Sequence, residues 1–214
     1  MNVSKKSLNI VHVASEVEPF SKKGGLGNVL NSLPRAVRDL GHNVIVITPY
    51  HEQAIRGSGE SFSRIGERTQ VEISEGVWQE VEYFESRLPG SDVPVYFVAN
   101  REWFGSPNDV YGSLRENARF FFFNVAALHL LKTLNWVPDV IHCHDWHAGL
   151  IPYFLKGRYR KDAFWRATAT LFTIHTSRSS SGMIGGPSPK PNGTMGEANS
   201  LSLTILKKSR RSTL

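Results

Sequence analysis

Only one cysteine, Cys143, stands among the 214 residues. No disulfide framework can brace this fold, and the cysteine usage fits a reducing compartment. No stretch approaches the ~18–20 consecutive apolar residues that would span a bilayer, so no membrane partner is expected. Ahead of the first apolar run, "MNVSKKS" has neither the apolar core of a signal peptide nor the character of a transit peptide. The expected location is the cytoplasm, with a plastid left open. A strong charge bias is also missing from most of the chain. The net charge is +6, but residues 176–214 hold six Lys/Arg and one Glu, leaving 19 basic against 18 acidic residues before them. A near-neutral body lacks the electrostatic footprint of a nucleic-acid binder. Aromatic residues are absent from 176–214, although residues 1–175 hold all 23. Apart from a marginal "LSLTIL", nothing there can form a packed core, and 176–214 is expected to be disordered, off the domain.

What is present before residue 176 alternates between two periods. "LNIVHVA" and "NVIVITP" are short β-branched runs that suit buried parallel strands. Between them Leu26, Leu30, Leu33, Val37 and Leu40 recur at helical spacing. Pro34 interrupts this stripe, and Ser32 is placed to cap a second helical segment. "RTQVEISEGVWQEVEYFESRL" alternates and is charged; with "VPVYFVA" after a "PGSD" turn it reads as an antiparallel hairpin excursion. "RENARFFFFNVAALHLLKTL" predicts a long helix with Phe120, Phe123, Ala127 and Leu131 on one stripe. "PDVIHCH" is a third parallel strand, "WHAGLIPYFLKGRY" a helix and "ATATLFTIH" a fourth strand. The fold class that follows is α/β, a Rossmann-like, mostly parallel sheet with helices on both faces and a hairpin excursion.

Ligands in parallel α/β sheets collect at the carboxyl ends of strands. Three suggestive stretches lie there: "SKKGGLGN", "HCHDWH" and the "TIH" that ends in His175. Glycine costs conformational entropy, so the question is what the backbone of Gly24-Gly25-Leu26-Gly27 approaches. A diphosphate at a helix N-terminus and a tight turn are equally open. The loop matches neither GxxxxGK(S/T) nor GxGxxG. His142, Cys143, His144, Asp145 and His147 invite a zinc reading. On a strand, however, His142 and His144 point one way and Cys143 the other, and no distant cysteine completes the set. No metal and no cofactor are expected.

Four ordered motifs carry a resemblance: "NIVHVASEVEPFSKKGGLGNV", "YGSLRENARF", "PDVIHCHDWHAGLIPYFL" and "ATLFTIH". In this order and spacing they resemble the bacterial glycogen synthases and plant starch synthases, the retaining glucosyltransferases of family 5. The resemblance covers residues 8–175 and none of the tail. It implies the N-terminal half of a GT-B fold, in which two Rossmann-like domains face each other across a cleft. The implied partners are ADP-glucose and the non-reducing end of an α-1,4-glucan, glycogen or starch. By resemblance, Lys22 lies near the donor diphosphate and Gly24 and Gly25 let backbone N–H groups approach it. His175 holds the transferred glucose, Asp145 is an acid needed for activity, and Asn117, Arg119 and His147 belong to the substrate pocket. Asn28 and Lys23 depart mildly from the family pattern. The absence of a second domain after "LFTIH" departs severely, and with the composition break at 176 it suggests a frameshifted or truncated gene. The chain is expected to be inactive alone. Two other classes compete: a glucan- or nucleotide-binding module without catalysis, and a dinucleotide-binding domain, disfavoured because "ITPYH" offers no acidic ribose partner.

Overall fold

In the computed structural model, residues 6–105, 110–112 and 114–175 and the backbone of 202–204 are described. The two β-branched runs form the centre of the sheet. Asn9–Val13 (β1) and Asn43–Pro49 (β2) run parallel, with Val11 beside Ile45 and Val13 beside Ile47. Gly25–Asp39 (α1) connects them and buries Leu26, Leu30 and Pro34. The helix does not break at Pro34, contrary to the sequence expectation. Ser32 caps nothing; its hydroxyl donates to the Asn28 carbonyl at 3.0 Å. Proline removes one helical N–H, but its ring is buried here, and packing of an apolar stripe supplies most helical stability in proteins.

After the short helix Glu52–Arg56 (α2), Ser63–Ser74 (β3) and Val77–Arg87 (β4) make the expected antiparallel hairpin. Pro94–Ala99 (β5) closes the expected antiparallel excursion across the "PGSD" turn and also returns the chain to the parallel sheet. It pairs antiparallel with β4 but parallel with β2, placing Val95 beside Val46. Val95 and Phe97 are buried on one face and Val98 on the other, the two-sided burial that a strand inside a parallel sheet requires. The short helix Arg101–Phe104 (α3) and the long Glu116–Thr133 (α4) lead to Val140–His144 (β6). A 3₁₀ turn, Trp146–Ala148, precedes Ile151–Lys156 (α5), and Ala163–Trp165 turns the chain into Ala169–Ile174 (β7). α4 is buried on nearly all sides, with Phe122, Val125, Leu128 and Leu130 inside as well as the expected stripe. A helix apolar all round has no face to give to water.

Ser202–Thr204 (β8) pairs antiparallel with β7, so the order across eight strands is β3-β4-β5-β2-β1-β6-β7-β8. These three residues correct the expectation that 176–214 stays off the domain. The outer edge of β7 offers N–H and C=O groups with which an added strand pairs. The rest of the segment expected to be disordered lies outside the described residues. Among the described residues no helix is long and apolar enough to cross a membrane.

Strand parity divides the interior. Val11, Val13, Ile45, Ile47, Ile141 and Cys143 face the core that contains α4. Ala14, Val44 and Val46 pack on the opposite face with Leu26 and Leu30 of α1. The strand order reverses direction between β1 and β6, which makes the crevice beyond their carboxyl ends the place where such sheets bind ligands.

Candidate functional site

The first turn beyond β1 supplies an unexpected group. Glu16, buried just after the strand, accepts from the amides of Lys23 at 2.5 Å and Gly24 at 3.2 Å through Oε2, and from Gly27 at 3.2 Å through Oε1. A carboxylate from the chain itself therefore satisfies the N-terminal amides of α1, where a negative charge also meets the positive end of the helix dipole. Glu16→Ala would leave the buried Gly27 amide without an acceptor, while water replaces it at the exposed Lys23 and Gly24. The expected loss is about 1–3 kcal/mol, read as a lower urea midpoint with faster amide exchange at residues 23–27. Wild-type exchange in that loop would show that Glu16 does not hold it.

The glycines themselves answer the question that the loop raises. Neither Gly24 nor Gly25 has a positive φ. A Cβ at Gly25 would meet nothing within 4 Å, and one at Gly24 would meet only Glu16 Oε1 at 3.6 Å. Gly27 alone is crowded, with Lys22 Cγ 3.2 Å from a Cβ built there. The fold has no internal need for bare backbone at Gly24 and Gly25. Both instead line a cavity of about 300 Å³, together with Glu16, Leu26, Tyr111, Glu116, Asp145, Trp146 and His147.

Across the crevice, Asp145 follows β6 with φ 57 and ψ 177. That region is almost restricted to glycine and costs of order 1–3 kcal/mol for other residues; such strain concentrates where side chains are held for function. Its carboxylate Oδ1 accepts from the His175 amide at 2.6 Å, and its own amide donates to the Thr173 carbonyl at 2.9 Å. Asp145 thus ties the end of β7 to the end of β6. His147 sits in the next turn, between the Tyr111 ring at 4.9 Å and the Phe120 ring at 4.5 Å. Burial, reinforced by Arg119, lowers its pKa to about 4. Tyr111 in turn shares a hydrogen bond of 2.7 Å with Ser15.

The site residues suggested by the sequence fall into three groups. Gly24, Gly25, Asp145 and His147 line the cavity together, and His175 is fastened to its wall through Asp145. Arg119 lies one layer below: its Nη2 donates to His51 Nδ1 at 2.9 Å, and His51 Nε2 donates to the Ser15 carbonyl at 2.9 Å. Lys22 and Asn117 are not among the cavity's lining residues. Lys22 pairs with Glu18 at 3.0 Å, and Asn117 lies on the first turn of α4, where its neighbour Glu116 reaches the cavity instead. Glu16, Tyr111, Glu116 and Trp146 escape sequence reasoning. The one signal that marks Glu16 is its position in "HVASE", a buried charge immediately beyond a buried strand.

His12, His142 and His144 are, among the described residues, the one group whose donor atoms lie within 4.8 Å of one another. The sequence predicts no metal at these positions, and the rings are engaged otherwise. His12 Nδ1 and His144 Nε2 are 3.0 Å apart, and His142 Nε2 meets Thr173 Oγ1 at 2.8 Å.

The cavity wall combines carboxylates with aromatic rings. The carboxylates of Glu16, Glu116 and Asp145 are hydrogen-bond acceptors, and Trp146 and Tyr111 add aromatic surface. The family model described as the starch synthase catalytic domain matches residues 9–187. The glycogen synthase of Geotalea uraniireducens (strain Rf4) is 39% identical over 173 residues, covering 78% of this chain and 35% of the relative. That of Thermotoga maritima is 39% identical over 171 residues, with 78% and 35% covered. Among solved structures, the catalytic domain of starch synthase IV from Arabidopsis thaliana, bound to ADP and acarbose, matches with a TM-score of 0.71 and 27% identity. The match covers 79% of this chain and 34% of that one. The chain spans about a third of the length of the curated relatives it matches.

Proposed function

The chain belongs to the starch synthase catalytic-domain family, and on that premise we propose that it is the donor- and acceptor-binding half of a retaining glucan synthase. The donor is ADP-glucose and the acceptor the non-reducing end of an α-1,4-glucan. The observation that carries this is the bare backbone at Gly24 and Gly25, which the fold leaves unexplained and a ligand in the adjoining cavity explains. Glu16 already takes the amides of Lys23, Gly24 and Gly27, so a diphosphate approaches over Gly25 and Leu26, at the positive end of α1. The carboxylates of Asp145 and Glu116 suit sugar hydroxyls rather than phosphate oxygens. The ADP and acarbose bound to the starch synthase IV relative support a nucleotide and a sugar as the ligand classes.

Within this chain the chemical contributions are binding and orientation. The Asp145–His175 link holds the sugar-facing wall, and the helix dipole stabilises negative charge gathering on a departing diphosphate. A single wall supplies part of the transition-state contacts, so the chain alone is expected to bind without turning over ADP-glucose.

Gly25→Ala separates binding from folding. At an open helix-start position the added methyl is expected to leave stability within about 1 kcal/mol of wild type. It should also weaken ADP binding, millimolar for one wall, by about tenfold or more. Chemical-shift titration with ADP, beside a thermal melt, makes the test. Unchanged affinity in a folded Gly25→Ala protein would overturn the assignment.

A further inference from the structure

On the face of the sheet opposite α4, alternate residues of three neighbouring strands bring imidazoles into line. His12 of β1 lies in register with His142 of β6, and His144 of β6 with Thr173 of β7. His175 follows β7 by one residue. Two hydrogen bonds connect three of these rings, His12 Nδ1 to His144 Nε2 at 3.0 Å and His144 Nδ1 to His175 Nε2 at 2.9 Å. His12 and His144 are 1% and 0% exposed.

We propose that His12 and His144 are positioning residues that set the tautomer of His175, holding its proton on Nδ1. A neutral imidazole has one N–H and one lone pair. Two bonds through a shared central ring must therefore point the same way: every Nδ1 donates, or every Nε2 does. Burial keeps the rings neutral, lowering His12 to about 3 and holding His144 well below its ordinary value. The direction is decided at the closed end. His12 Nε2 is buried and has no hydrogen-bond partner. With Nδ1 donors throughout, it carries only a lone pair; with Nε2 donors throughout, it carries an N–H stranded from any acceptor, the rarer and costlier arrangement. The first polarity leaves His144 Nδ1–H donating to His175 Nε2, so His175 carries its proton on Nδ1 and presents a donor there.

The groups around the chain are consistent with this direction. His142 is engaged by Thr173 and stacks on His144 at 4.0 Å between ring centroids. Asp145 meets His175 through the backbone amide rather than through the ring. A His175 cation would turn an N–H toward the N–H of His144, so the chain also opposes its protonation. That a sugar uses the Nδ1–H donor rests on the function proposed above.

The test reads nitrogen directly. In the full chain labelled with ¹⁵N-histidine, long-range proton–nitrogen correlation at pH 7 is expected to show His175 in a single Nδ1–H tautomer. His144→Phe or His12→Leu should turn that signal into a tautomer mixture. His12→Asn, whose amide nitrogen stands where Nδ1 does, should restore it, a rescue that a merely structural role would not produce. An Nε2–H tautomer of His175 in the wild-type spectrum overturns the proposal, as does an unchanged His175 signal in His12→Leu. The wild-type spectrum alone suffices should the variants fail to fold. Failure of the functional reading would leave these spectra as described and appear separately, as no response of His175 to added ADP-glucose.

Discussion

Lowering the pH from 7 to below about 5 is expected to unfold the domain cooperatively, because its buried histidines accept protons only when the chain opens. Burial lowers His12 and His51 to about 3, with His142 adding to the effect on His12 and Arg119 to that on His51. His142 and His147 are lowered to about 4 by burial first, then by His175 and Arg119 respectively. The unfolded chain binds these protons near the ordinary value of 6.5, so below that pH it holds more protons than the folded state. Stability therefore rises with pH in this window and falls as pH drops from about 6.5 toward 4. Above pH 7 the same rings are neutral in both states and contribute no slope. At pH 5 each ring costs about 2 kcal/mol, and the four together about 8 kcal/mol. That is comparable to the whole stability of a typical domain, about 5–15 kcal/mol. Circular dichroism followed from pH 8 to 4 should show the transition between about pH 6 and 4.5. A midpoint of urea unfolding that does not fall between pH 7 and pH 5 would mean that these imidazoles charge within the fold.

Asn124→Ala is expected to cost about 3–5 kcal/mol, the upper end of what removing one buried side chain does. Asn124 is wholly buried in the middle of α4. Its Nδ2 donates to the carbonyls of Phe120 and His147, both at 2.6 Å, and its Oδ1 accepts from the Ile151 amide at 3.1 Å. One side chain thus holds both ends of the segment from His147 to Ile151 against the helix. Truncation leaves the His147 carbonyl and the Ile151 amide without partners, each costing about 1–3 kcal/mol, and opens a small cavity. Asn124→Asp should be no better, since a carboxylate would face two carbonyl oxygens. Urea unfolding measures the loss. A secondary consequence is a looser His147, so ADP titration of the surviving folded protein should also weaken. A midpoint within about 1 kcal/mol of wild type would show that the segment is held by its apolar contacts instead.

Local patterning was enough to define the elements and most of the sheet. Period-two runs such as "NIVHV" and "NVIVI" and the stripe of Leu26, Leu30, Leu33 and Val37 are local properties, and local periodicity decides which face of each element is apolar. It also located the glycine loop, Asp145, His147 and His175 at strand ends, where an α/β sheet gathers its ligands. Which elements meet was settled by long-range packing. "VPVYFVA" reads as a hairpin strand, which its antiparallel pairing with β4 bears out, and only the β2 edge gives it a parallel partner as well. Pro34 looks like a helix break until the buried stripe on both sides of it outweighs one lost N–H. Asn117 and Glu116 are adjacent in "ENARF", and the orientation of α4 directs Glu116 into the cavity. Glu16 reaches three amides seven to eleven residues away, His12 meets His144 across 132 positions, and Asn124 catches two backbone groups from another segment. Such bonds form because buried polar groups must find partners in whatever the fold places beside them. No local pattern in the chain encodes that neighbourhood.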